Sequence, residues 1–209
     1  MLANLTVKEF LDKVAGSDPG PGGGSIWALN GSIAASLAQM VANLTIGRKK
    51  YVEVEEIMKE LAAKLEPVRH QLCADIDRDS DAYDRVFSAF KLPKETDEEK
   101  AVRSEAIQKE TKYAAQVPME VARATAAIMP LIATIAKKGN QNAVTDACVA
   151  MMCARTAVLG ALFNVRINLG GINDEAFVKS MSEECAQLEK EAVACEQELL
   201  TYAKNDLGL

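Results

Sequence analysis

Between Pro19 and Gly47 the chain carries no charged side chain, and Arg48-Lys49-Lys50-Tyr51 follows at once. The uncharged stretch opens with Pro19-Gly20-Pro21-Gly22-Gly23-Gly24-Ser25, a loop whose glycines expose backbone N–H groups and whose serine suits a helix N-cap. The residues that follow have helix-compatible composition and no breaker, which predicts a buried helix from Ser25 to Ile46 ending in a basic cluster. On it Ser25, Ser32, Ser36, Gln39 and Asn43 return to nearly the same angle at about 3.6 residues per turn. A face that is polar but uncharged fits a lined cleft better than open solvent. Three glycines before a helix N-terminus also make an anion or oxyanion site of Gly22, Gly23, Gly24 and Ser25, although composition alone fits a flexible connector equally well.

The rest of the chain reads as helices too. Thr6 with Glu9 forms a capping box for a short helix that Gly16 stops, and Thr96 with Glu99 repeats the signal. A long helical stretch is predicted over Tyr51–Phe90, with Pro67 expected to kink or divide it, and another from Thr96 to Ala136, interrupted by Pro118 and Pro130. A fifth helix, Ala143 to Asn168, is apolar nearly all round and therefore central. After Gly170-Gly171, Asn173 is expected to cap a last, highly charged helix to Lys204. No segment has the period-two alternation and tight turns of strands. The expected fold is all-α, a single domain over 1–209 built as an antiparallel bundle of long helices. Small residues on the second and fifth helices would let backbones approach closely, within one chain or across a dimer.

The 209 residues are 49% hydrophobic, enough to fill a core, and the net charge of -6 argues against a nucleic-acid partner. Five cysteines without a CxxC pair signal neither a disulfide framework nor zinc. The N-terminus lacks a secretory pattern, and the polar stripe makes the uncharged helix a poor membrane span, so a cytoplasmic protein with no membrane partner is expected. The glycine loop is neither a Walker A motif nor a Rossmann fingerprint, because no Gly-Lys-Ser/Thr ends it and no strand precedes it.

Acid–base chemistry falls mostly to carboxylates, lysines or tyrosines, because His70 is the only histidine. Asp75, Asp77, Asp79, Asp81 and Asp84 crowd ten residues, with Asp75 and Asp79 on one helical face and Asp77, Asp81 and Asp84 on another. Such a run is usually a solvated face, but a member held half-buried gains a raised pKa and becomes a general acid or base near neutrality. Asp146, in the first turn of the fifth helix, either favours the helix dipole or serves chemistry. It stands about 27 Å from Asn164 along one helix. A ferritin-like di-iron site cannot be built with one histidine. A prenyl-pyrophosphate enzyme would need a second acidic motif and a longer chain.

Five segments in order resemble the cyclodeaminase family, meaning the cyclodeaminase domain of formiminotransferase-cyclodeaminase and stand-alone methenyltetrahydrofolate cyclohydrolases. They are Pro21–Ser25, Met40–Tyr51, Asp77-Arg78-Asp79-Ser80-Asp81-Ala82-Tyr83, Leu92–Thr96 and Asn164–Leu169. Arg78 stands where the family often has glutamate. The resemblance implies a dimeric all-helical enzyme acting on a tetrahydrofolate one-carbon unit, with no room for a formiminotransferase domain and no cofactor beyond the folate substrate. It implies Asp77 or Asp79 as the acid–base or cation-stabilising group, and Asp146 as second candidate. Ser25, the glycine amides and Asn43 would orient the substrate, while Arg48, Lys49 and Lys50 would hold its glutamate tail. The competing expectation is a non-catalytic bundle for interaction or scaffolding, with the polar stripe packed against a helix.

Overall fold

The computed structural model describes residues 1–208, and these form an all-helical fold. Six α-helices follow in order: α1 Val7–Val14, α2 Gly23–Thr45, α3 Glu55–Phe90, α4 Asp97–Lys138, α5 Val144–Leu169 and α6 Glu175–Leu207. Short 3-10 turns precede α1, α3 and α5. Both predicted capping boxes form: Thr6 and Thr96 each accept from the backbone three residues on, and Glu9 and Glu99 reach back. The last helix is capped by Asp174 rather than Asn173, its carboxylate accepting from the Phe177 amide.

None of the prolines divides its helix. Pro67 lies inside a continuous α3, and Pro118 and Pro130 inside a continuous α4. An interior proline costs about 3 kcal/mol, and here the burial of side chains along two very long helices outweighs it. The third helix also starts later than expected, because Lys49–Val54 winds as a 3-10 turn before α3 begins.

Side-chain partners fix the directions of packing. Ser25 meets Ile76, Ser32 meets Arg69 and Gln39 meets Ala62, so α3 runs antiparallel to α2. Ion pairs from Arg78 to Glu120 and from Arg85 to Glu110 set α4 antiparallel to α3. Pairs from Arg155 to Glu196 and from Arg166 to Glu189 do the same for α5 and α6. The fifth helix is central as expected, packed by α2, α4 and α6. Met58, Leu72, Met119, Met151, Leu162 and Leu199 are fully buried in the core between these helices. Close approach of α2 and α5 needs Gly160, where a Cβ would lie 3.3 Å from that of Trp27. By length and composition α4 and α5 each carry a stretch able to cross a membrane, but half of each stretch is buried inside the bundle.

The neutral stripe of α2 does not line a cleft along its length. Ser25 Oγ donates to the Ile76 carbonyl at 2.9 Å, Ser32 Oγ to that of Arg69 at 3.2 Å, and Gln39 accepts from Arg69 Nε at 3.1 Å. Periodicity identified the polar face but not its neighbour, which is α3 over most of the stripe.

Candidate active site

Helix α2 begins at Gly23, two residues before the expected start, with Gly22 in the N-cap position and no side-chain cap. The Ile26 amide is the first to enter the ladder, bonding to the Gly22 carbonyl at 3.3 Å. The amides of Gly23, Gly24 and Ser25 therefore precede the helical hydrogen bonds. Ser25, expected to cap the helix, instead buries its hydroxyl against α3.

Over this start lies Asp79. A Cβ built on Gly24 would fall 1.6 Å from Asp79 Oδ2, so only glycine permits the carboxylate to rest on the backbone there. No described side chain or amide donates to it, and desolvation pushes its pKa up to about 6. The two groups border a cavity of about 260 Å³ that Pro19–Ser25, Ser80, Tyr83, Asn164 and Asn168 also line. The small side chains of Ala82 and Ala114 line it as well. Asn168 is spent on structure, its amide donating to the Ala114 and Asn164 carbonyls at 3.1 and 2.9 Å.

The remaining aspartates have other duties. Asp77 turns away from the cavity and accepts from the amides of Leu2 and Ala3, fastening the N-terminal turn to α3. Asp75 shares the face of Asp79, as its spacing of four requires, but is only 1% exposed. It accepts from Gln71 at 2.9 Å and pairs with Arg78, while burial raises its pKa. Asp81 and Asp84 line a separate, open hollow between α3 and α4.

The expected site residues thus separate into two groups. Gly22, Gly23, Gly24, Ser25 and Asp79 meet at one cavity. Arg48, Lys49 and Lys50 are exposed beyond the other end of α2, and Asn43 lines a shallow hollow with Gln39 and Arg69. At about 1.5 Å per residue the 23-residue α2 holds the basic cluster about 35 Å from the glycines. Asp146 begins α5 at that same far end, since α5 runs antiparallel to α2, and it lines no part of the cavity. Sequence reasoning had not assigned Tyr83 or Ser80 to the site. The available signal was helical spacing, which sets Tyr83 one turn beyond Asp79.

Fold and site define a helical domain in which a half-buried carboxylate without a donor is laid on a glycine-started helix beside a cavity. Residues 6–187 match the model of the formiminotransferase-cyclodeaminase family. Over 208 residues, the whole of both chains, the protein is 41% identical to methenyltetrahydrofolate cyclohydrolase of Methylorubrum extorquens. It is 32% identical over 191 residues to the formimidoyltransferase-cyclodeaminase of Rattus norvegicus, spanning 35% of that longer relative. The crystal structure of formiminotetrahydrofolate cyclodeaminase from Thermotoga maritima superposes with a TM-score of 0.87 at 32% identity, covering 99% of this chain and all of that one. The chain belongs to the formiminotransferase-cyclodeaminase family.

Proposed function

We propose that this enzyme, of the cyclodeaminase or cyclohydrolase kind, works on folate one-carbon units and opens methenyltetrahydrofolate with water. The observation that carries the reading is Asp79 held without a donor over Gly24, at a cavity able to take one end of the substrate. The full-length relative that is a methenyltetrahydrofolate cyclohydrolase supports hydrolysis over deamination.

The reacting carbon is joined to two nitrogens and shares a positive charge with them. An ionised Asp79 beside it stabilises the cation and takes a proton from the attacking water, which a carboxylate titrating at about 6 does near neutrality. Water oxygen bonds to the carbon, giving a tetrahedral centre. The bond from carbon to N5 then breaks, N5 takes a proton and the formyl group stays on N10. One proton is released overall. The amides of Gly23, Gly24 and Ser25, which line the cavity and precede the helical ladder, serve as donors for an oxygen or ring nitrogen.

Cyclodeamination uses the same parts in the other direction: N10 attacks the formimino carbon, and ammonia leaves after protonation. The match to the cyclodeaminase structure favours keeping this second reading. Incubation with methenyltetrahydrofolate, following loss of its absorbance, beside 5-formiminotetrahydrofolate, following its gain, decides between them. Loss alone is the expected result, and an excess of chelator leaves it unchanged, since the chemistry proposed needs no group beyond the folate. Absence of both signals, with no rise in melting temperature on adding reduced folate, supports the scaffold alternative.

The protein is further proposed to act as a homodimer. Phe163 and Ile167 of α5 are 66% and 78% exposed, and Met152, Val149, Ile33, Met40 and Leu44 continue the apolar face across α5 and α2. Exposed patches of this extent mark interaction surfaces. The groove on this face shares Gly23 and Asn164 with the cavity, so a second copy seated there would border the site.

A further inference from the structure

The cavity beside Asp79 is smaller than the about 300–1,000 Å³ that encloses a drug-sized ligand, so most of a folate must lie outside it. From the cavity wall a row of side chains one turn apart runs along the end of α3 to its C-cap residue, Lys91. Tyr83 lines the cavity next to Asp79. Its ring lies near-parallel to that of Phe87, with centroids 6.3 Å apart and planes 11° apart. Lys91 Nζ sits 4.1 Å from the centroid of Phe87. Both rings are about half exposed, at 48% and 50%, although neither is needed to cover the core.

We infer that Tyr83, Phe87 and Lys91 form the outer half of the substrate site, the two rings receiving the p-aminobenzoyl group and Lys91 the glutamate carboxylates. This rests on the folate reading above and deepens it. The order along the end of α3 and into its C-cap is carboxylate, aromatic, aromatic, cation. The order along the substrate is a cationic reacting centre, an aromatic ring and a carboxylate tail, so each group meets its complement. The spacing agrees too, since Asp79 and Lys91 are separated by about 18 Å at about 1.5 Å per residue. Arg48, Lys49 and Lys50, the cations expected to hold the tail, lie at the opposite end of the bundle. Aromatic faces add affinity for a flat ring, and an ammonium adds a charge-assisted bond to a carboxylate, without either touching the reacting carbon.

The test compares methenyltetrahydrofolate with methenyltetrahydropteroate, which lacks the glutamate. For Lys91→Glu the KM for the glutamylated substrate rises about tenfold with kcat held, while KM for the pteroate changes less than about twofold. Lys91→Arg restores the wild-type preference. Phe87→Ala raises KM about fivefold for both substrates, because the ring contact is common to them. Lys64→Glu, the same charge change on a distant exposed turn of α3, leaves both values alone.

Two results overturn the inference while leaving the activity standing: wild-type turnover with no change in Lys91→Glu and Phe87→Ala, or tail dependence lost instead in a Lys49→Ala/Lys50→Ala variant. Calorimetry with 5-formyltetrahydrofolate and its des-glutamate analogue separates the reverse case. Binding that depends on the glutamate and on Lys91 in a protein without turnover upholds the outer site and sinks the proposed reaction. No binding of either compound sinks both.

Discussion

The two ends of α2 were equally conspicuous in the sequence, one rich in glycine and the other in cations, yet the fold treats them in opposite ways. At the glycine end a half-buried carboxylate rests over Gly24 at a helix start that no side chain caps, and space is left beside it. At the basic end the backbone is sealed. Thr45 Oγ1 donates to the Val41 carbonyl at 2.8 Å and accepts from the Asn140 amide at 2.8 Å, while Asn140 Nδ2 donates to the Leu44 carbonyl at 3.1 Å. An end whose polar groups are satisfied contributes stability, and an end whose groups are held unsatisfied can do chemistry.

The largest effect is expected at Asp79. Replacing it with Asn removes the proposed base and cation partner and lowers kcat about a hundredfold or more. The pH dependence sharpens the point. Desolvation raises the folded-state pKa to about 6 from the ordinary aspartate value of 3.8, so the native protein binds this proton more tightly than the unfolded chain does. The stability it contributes is present below the lower value and is lost as pH rises through the upper one. Asp79→Asn should therefore gain melting temperature relative to wild type between pH 4 and pH 7. Its turnover should also lose the limb that rises through about pH 6. Thermal melts across pH beside rate profiles check both, and an unchanged kcat would erase the contrast between the two ends of α2.

Next comes Gly24→Ala. Its methyl would occupy the place of the Asp79 carboxylate, and since the Asp side chain is short, either it or the start of α2 must move. Overpacking of this kind costs about 1–3 kcal/mol, and displacement of the base lowers kcat about tenfold or more. Chemical denaturation and kcat on one preparation separate the two losses. Asp77→Asn ranks below it. With its carboxylate turned to the amides of Leu2 and Ala3, the substitution weakens charge-assisted bonds and costs about 1 kcal/mol, with turnover changed less than about twofold. A large loss of turnover instead would move the chemistry to the opposite face of α3.

Much of this was legible in advance because it is local. Capping boxes declare themselves within four residues, and all-round hydrophobicity marked α5 as central. The spacing of four placed Asp75 and Asp79 on one face before any packing was known. What the sequence could not show was long-range pairing. That Asp77 belongs to the N-terminal turn depends on residues 75 positions away, and that Asp75 is closed off depends on Arg78 reaching across to Glu120 on α4. The polar stripe of α2 misled for the same reason, since a helix face has a period whether it meets a cavity or a neighbouring helix. The breaks expected at Pro118 and Pro130 are absent because a proline's cost is local, whereas the burial that outweighs it is spread over the whole bundle.

The smallest effect on turnover is expected at the sealed end, and there it serves as the control for the comparison. Thr45→Val keeps the shape of a fully buried side chain but removes both the donor to Val41 and the acceptor for the Asn140 amide. A part-buried amide left without a partner costs about 1–3 kcal/mol, so the urea midpoint should fall measurably. Turnover and KM should stay within about twofold of wild type, because the change lies about 30 Å from the cavity along α2. If Thr45→Val instead lowered kcat as far as Gly24→Ala does, the two ends would be coupled through the helix, or brought together by a second copy. The division of labour drawn from one chain would then have to be redrawn for the pair.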